Sequence, residues 1–361
     1  MRQQEILAAG TSIWLDDLSR SKLTGSDPHS LPHRINHDGV RGVTTNPSIF
    51  GAAITGADEY AADIASLSGK SVDEVVRTLT TDDVRVACDL FAEIYAASKG
   101  IDGRVSIEVD PRLAHKTQET IDEGIALHAL VGRPNVMIKV PATKAGLRAI
   151  TALIGKGISV NVTLIFSLER YSEVIDAFIA GIAQAKTAGR DLTSIHSVAS
   201  FFISRIDSAV DKELRAIGNQ DLLGKVAVAN AHRAYALFLE KFSQSTWKTF
   251  EADGALVQRP LWASTGVKDP SYADTLYVDT LIAPHTVNTM PQATLDAFLD
   301  HGSVKSDAIT AQIENASAIL SALSALGISL ETITNALEAD GVKKFEDAWI
   351  SLLADVKKVM A

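Results

Sequence analysis

Eight short, β-branched apolar runs, separated by stretches of helical periodicity, constrain this chain more than any other feature of it. They are SIWLDD (12–17), GVTTNP (42–47), RVSIEVDP (104–111), NVMIKVP (135–141), ISVNVTLIF (158–166), SIHSVASFF (194–202), RPLWAST (259–265) and TLIAPHTVN (280–288). Amphipathic segments at 82–98, 114–130, 168–187 and 205–214 lie between them. Strands that alternate with helices build βαβ units and a parallel sheet, and eight of them predict a closed barrel. An open doubly wound sheet would carry a glycine-rich nucleotide turn after its first strand, and none follows 12–17 or 42–47. The expected fold is α/β, a (β/α)₈ TIM barrel, with residues 1–361 forming a single domain free of internal repeats and long linkers. A plain barrel takes about 250 residues. The surplus is assigned to an additional N-terminal loop near 19–41 and to C-terminal helices after Ser303. There, a helix opening at Ser329 and another ending near Met360, with Phe345, Trp349 and Leu353, are expected to pack on the outside.

Charge and composition narrow the partners. A net charge of -10 argues against nucleic acid, which is held by clustered lysine and arginine. No apolar run approaches the roughly 20 residues of a membrane span. MRQQEILAAG lacks the basic-then-apolar pattern of a secretory signal, so a cytoplasmic location is expected. The single cysteine, Cys88, fits a reducing compartment and sits in a helical pattern as a packed core thiol.

In this fold reacting groups stand at the carboxyl ends of the strands. Polar residues out of place are found there: Asp16 and Asp17, Thr44 to Asn46, Glu108 and Asp110, Lys139, Asn161 and Thr163, Ser200, then Ser264 and Thr265. Period-two alternation sets Ser106 and Glu108 opposite Val105, Ile107 and Val109, and Asn161 and Thr163 opposite Val160, Val162 and Leu164. The apolar face must meet the helices, so Glu108, Lys139, Asn161 and Thr163 are expected to converge inside the barrel. In the first strand both faces are apolar, and alternation does not choose between Asp16 and Asp17.

Lys139 is the residue that demands an explanation, because a buried ammonium is costly unless it is paired or gives up its proton. An amine desolvated by apolar walls can attack a carbonyl, and the resulting iminium is an electron sink that permits cleavage of a neighbouring C–C bond. The competing reading is a structural Lys139–Glu108 ion pair.

Other residues carry less. His29, His33 and His37 have four-residue spacing, but Pro28 and Pro32 are expected to break any helix that would align them, leaving a solvated loop. No metal motif is present. His196 and His285 are read as satisfied core residues on strands. The segment 264–268, after the seventh strand, is a candidate anion pocket.

Taken in order, GVTTNPSIF, VSIEVDPRLA, MIKVPAT, VNVTLIFS and the segment Ser200 to Asp207 (SFFISRID) resemble the strand-end motifs of transaldolases. WASTGVKDPSYADTLYVDTLIAPHTVNTMP is similar to the longer bacterial and plant branch. The resemblance implies that Lys139 forms a Schiff base with a ketose carbonyl, and that Asp16 moves the proton of the substrate C4 hydroxyl. It implies that Glu108 acts through a water with Thr163, that Asn46 and Asn161, with Thr44 nearby, hold the dihydroxyacetone hydroxyls, and that Ser200 and Arg205 take the phosphate. Where shorter members place a second phosphate arginine, this chain offers Lys268, a point charge rather than a fork.

The resemblance therefore implies transfer of a dihydroxyacetone unit between sugar phosphates, in the pentose phosphate route, without metal or organic cofactor. Sugar phosphates are the expected partners, with no nucleic acid and no membrane; monomer and homodimer stay open. One alternative is a fructose 6-phosphate aldolase that releases free dihydroxyacetone. In that group a tyrosine tends to hold the water at the position of Phe202, so phenylalanine favours transfer. Another is a non-catalytic sugar-phosphate binding protein, which would need Arg205 and Ser200 but not Lys139, Glu108 and Asp16 together.

Overall fold

The computed structural model describes residues 1–55 and 58–360. Its eight strands are β1 (Thr11–Leu15), β2 (Val40–Val43), β3 (Arg104–Glu108), β4 (Val136–Pro141), β5 (Val160–Ile165), β6 (Ser197–Phe202), β7 (Arg259–Ala263) and β8 (Thr286–Met290). All neighbours are parallel, and β1 pairs with both β2 and β8, closing the barrel. The eighth strand begins later than the run TLIAPHTVN suggests. Residues 280–285 form a helix end and a turn, and Thr286 is the first to pair.

Alternation places one parity of each strand inside the barrel. The inward residues of β1 include Trp14, whose buried indole fills the centre. Gly42 of β2 makes room for it, since a Cβ there would stand 2.6 Å from the Trp14 ring and 2.8 Å from the Arg104 carbonyl. Strand β5 has a register irregularity between Val162 and Ile165, where Leu164 takes a φ of 62°.

The outer helices follow from capping and periodicity. Asn46 ends β2's loop by capping Pro47–Ile54, accepting from Ile49 N at 3.0 Å. Thr143 caps Lys144–Gly155 directly after β4, and Ser167 caps Leu168–Thr187 after β5. The helix expected from residue 82 begins ten residues earlier, as Val72–Leu90, behind a Ser71–Glu74 capping box. Its buried Cys88 has a thiol pushed up to about 12 by burial, as an inert core group should.

Three expectations need correction. The segment at 19–41 is not a loop but two short helices, Arg20–Thr24 and Leu31–His37. Pro32 lies in the first turn of the second, where its missing N–H costs nothing, and Ser30 caps it. The rings of His33 and His37 consequently do meet, with centroids 4.4 Å apart. His196 and His285 precede β6 and β8 rather than lying on them. Finally, Leu330–Met360 is one continuous helix of 31 residues, and it does not lie on the outside. It crosses the carboxyl end of the barrel, touching β5 and the helices Pro47–Ile54, Val72–Leu90 and Ser204–Ala216. Arg170, after β5, anchors it through Glu338 at 3.1 Å. No single helix among the described residues is long and apolar enough to cross a membrane.

Candidate active site

At the carboxyl end of the strands lies a cavity of about 140 Å³, lined among others by Asp16, Lys139, Thr163, Ser200, Arg205 and Phe345. Lys139 is 4% exposed. Its Nζ donates to the carbonyl of Thr45 at 2.9 Å and stands 3.7 Å from Glu108 Oε2. The Phe345 ring of the last helix lies 5.8 Å from the same nitrogen. One amine is thus held by a backbone carbonyl on one side and covered by an aromatic ring on another.

The structure resolves the choice at the first strand. Asp16 points inward and accepts from Thr44 Oγ1 at 2.6 Å, whereas Asp17 turns outward to pair with Lys22. Thr44 is itself within 2.6 Å of Thr289 Oγ1 on β8, so its hydroxyl is spent on holding Asp16 rather than a substrate hydroxyl. Burial raises the Asp16 pKa above the ordinary carboxylate value, against the opposing pull of Lys139 and the Thr44 hydrogen bond. Burial likewise pushes Glu108 up to about 7, although Lys139 is nearby.

Two buried oxygens, Glu108 Oε2 and Thr163 Oγ1, have no hydrogen-bond partner. Buried polar atoms are rarely left this way, and of the two residues Thr163 lines the cavity. Asn161 behaves differently from the expectation that it faces substrate. Its Nδ2 donates to Ser106 Oγ at 3.0 Å and its Oδ1 accepts from Ser200 at 2.7 Å. It is fully buried and supports the floor of the cavity through Ser200. Asn46 does reach the cavity; its Oδ1 is committed to the helix cap, so the amide NH₂ is the end left for a ligand.

Arg205, Ser200 and the segment after β7 line another side of the cavity. Arg205 packs over the Phe202 ring at 5.3 Å, and its buried Nη1 lacks a partner. Burial lowers its pKa, so an anion there would recover charge stabilisation that the fold leaves unmet. Ser264, Gly266 and Lys268 line the same cavity, with Ser264 at a φ of 57° and its Oγ 2.9 Å from Ser204 Oγ.

The sequence reading missed Phe345, Gly341 and Thr289. Gly341 lets the last helix approach the site, since a Cβ there would lie 3.0 Å from Leu164 Cδ2 and 3.7 Å from Arg205 Nη1. Thr289 had a signal in its inward parity, obscured by the misplaced start of β8. Phe345 had only its place on an apolar helix face, which does not say what that face covers.

Residues 13–356 match the family model described as Transaldolase/Fructose-6-phosphate aldolase. A protein named Transaldolase from Mycobacterium tuberculosis is 53% identical over 356 residues, which are 97% of this chain and 95% of that one. Transaldolase 1 of Streptomyces avermitilis is 56% identical over 352 residues, 96% of this chain and 92% of its own. A Transaldolase of an Arthrobacter species is 55% identical over 364 residues, covering 99% and 97%. With a family match spanning the barrel and relatives similar along almost their whole length, this chain belongs to the transaldolase/fructose-6-phosphate aldolase family.

Proposed function

We propose that this protein is a transaldolase that carries a dihydroxyacetone unit on Lys139, from a ketose phosphate to an aldose phosphate. The observation that carries the reading is one buried lysine amine that shares a cavity with Asp16 and Arg205 and has the Glu108 carboxylate 3.7 Å away.

The chemistry follows from the positions. The Lys139 amine attacks the ketose C2 carbonyl, forming a C–N bond, and the hydroxyl leaves as water to give the iminium. Glu108 and Thr163, whose oxygens lack partners, hold that water and move its protons. The Asp16 carboxylate takes the proton of the C4 hydroxyl as the C3–C4 bond breaks. Its electron pair flows into the iminium, giving an enamine, and the aldose phosphate departs. An acceptor aldehyde then reverses the sequence, and hydrolysis frees Lys139. The iminium is the electron sink, so the residues present suffice for the bond changes. Arg205, Ser200 and Lys268 hold the phosphate, and Asn46 the donor hydroxyls.

Phe202 supports transfer over release. It packs on Phe166 at 5.2 Å and beneath Arg205, giving this wall of the cavity no hydroxyl to hold a water. The whole chain acts as one unit, because the last helix completes the site that the strands begin. Borohydride reduction in the presence of fructose 6-phosphate tests the reading: a covalent adduct is expected on the peptide containing Lys139. No adduct, or one on another lysine, overturns the mechanism. Free dihydroxyacetone accumulating equally fast with and without erythrose 4-phosphate would instead identify an aldolase.

A further inference from the structure

The larger cavity of this barrel is at the other end. About 690 Å³ opens at the amino ends of the strands, well within the range of small-molecule sites. Its wall includes the inward residues at the starts of the strands, Arg104 and Arg259 among them, together with Arg41, His196 and His285. Trp14 and Met137, both fully buried, close the barrel between this mouth and the catalytic one. Met137 lines the lower cavity, and Lys139 stands two residues further along the same strand.

The charges there are unevenly paired. Arg259 is neutralised by Asp102 at 3.1 Å and also donates to Ser12 Oγ and the Thr286 carbonyl. Arg104, only 1% exposed, donates to the carbonyls of Gly100 and Pro134 and to Ser159 Oγ, all neutral acceptors. Arg41 donates only to the carbonyl of Val40, at 3.3 Å. Among the described residues neither has a carboxylate partner, and the remaining acid of the cavity wall, Glu251, is bound to Lys248.

A second observation points the same way. Arg104 Nη2 and His196 Nε2 are buried without hydrogen-bond partners, and both converge beside Gly100, where a Cβ would stand 3.1 and 2.8 Å from them. Burial pushes His196 down to about 3, so it adds no charge of its own and faces the cavity as a neutral ring. His285, also lowered by burial, is similar in sign. The Arg104 guanidinium is met by neutral oxygens and by the Tyr95 ring at 4.9 Å, with no carboxylate bonded to it, so an incoming anion would stabilise its charge. This occurs in a chain whose net charge is -10, so the cationic pocket is local and runs against the overall field.

We propose that this lower mouth is a second ligand site, taking a small polyanion whose carboxylate or phosphate groups pair with Arg104 and Arg41. It stands independently of the chemistry at the other end.

Calorimetric titration of the full chain with citrate and, separately, with pyrophosphate tests it. The Arg205→Gln variant removes the principal cation of the catalytic mouth, while Arg41→Gln and Arg104→Gln address the lower one. Expected is one-to-one, sub-millimolar binding of at least one probe that persists in Arg205→Gln and weakens at least about tenfold in Arg41→Gln and Arg104→Gln. Binding of citrate alone identifies a carboxylate site, of pyrophosphate alone a phosphate site. If Arg104→Gln does not fold, the rim variant Arg41→Gln decides. The proposal is overturned if neither probe binds, or if binding vanishes in Arg205→Gln and survives in Arg41→Gln.

Discussion

Lys139 Nζ stands 3.7 Å from Glu108 Oε2, too far for a hydrogen bond, and donates one instead to the carbonyl of Thr45. A pair kept for structure would close that gap, because two buried charges repay their desolvation only with tight geometry. Here the Glu108 oxygen is left without a partner, while Lys139 lines the cavity.

Separation of roles gives the first test. Lys139→Met should lose more than about a thousandfold in kcat and form no borohydride adduct. Asp16→Asn should lose about 10²- to 10⁴-fold in kcat while still trapping substrate on Lys139, because imine formation precedes the step Asp16 serves. An Asp16→Asn protein that fails to form the adduct would remove Asp16 from the cleavage step.

Burial pushes the Glu108 carboxyl up to about 7, so loss of its carboxylate form is expected as the pH falls through about 7. The limb of the kcat/KM profile centred there should disappear in Glu108→Gln along with most of the activity. Stability follows the opposite sign. The folded chain binds this proton more tightly than the unfolded one, so Glu108 reduces stability progressively as pH rises from 4.5 to about 7. The Tm of Glu108→Gln minus that of the parent should therefore increase across this window; the slope is the readout.

Gly341 sets how closely the last helix lies on the site. A Val side chain there would meet Leu164 and the Arg205 guanidinium. Gly341→Val should lower kcat/KM by about ten- to a hundredfold, mostly through KM for the phosphorylated substrate, with little change in Tm. An unchanged KM would mean that the helix adjusts without disturbing Arg205.

Gly42→Ala tests the barrel centre. Its Cβ would overlap the Trp14 ring and the Arg104 carbonyl, so a loss of about 1–3 kcal/mol is expected in denaturant unfolding. Because Trp14 lies two residues before Asp16, the same change should also lower kcat.

The barrel and the inward set Glu108, Lys139 and Thr163 were legible because alternation is a short-range signal, written within six residues of each strand. Asp16 was not separable from Asp17, since Ile13, Trp14 and Leu15 are apolar on both faces and only the closed barrel shows that a tryptophan fills its centre. The helix Leu31–His37 was hidden by Pro32, which breaks a helix interior but begins one readily. Asn161 was correctly placed inside, yet its two hydrogen-bond partners, and hence its supporting role, depend on neighbouring strands. The lower cavity left no mark in the sequence, because Arg104, His196 and Arg259 are distant in the chain and read one at a time as the polar edges of apolar runs.

The placement of Phe345 over Lys139 has a consequence for the order in which the protein becomes itself. All eight strands, and every charged group of the reacting cavity, leave the ribosome before the residue that roofs it. During synthesis the barrel can close while its amine is still open to surrounding aldehydes and sugars. A chain stopped after Ile328 should be a folded barrel with an unguarded nucleophile, and completion of the last helix is the moment at which a reactive surface becomes an enclosed one.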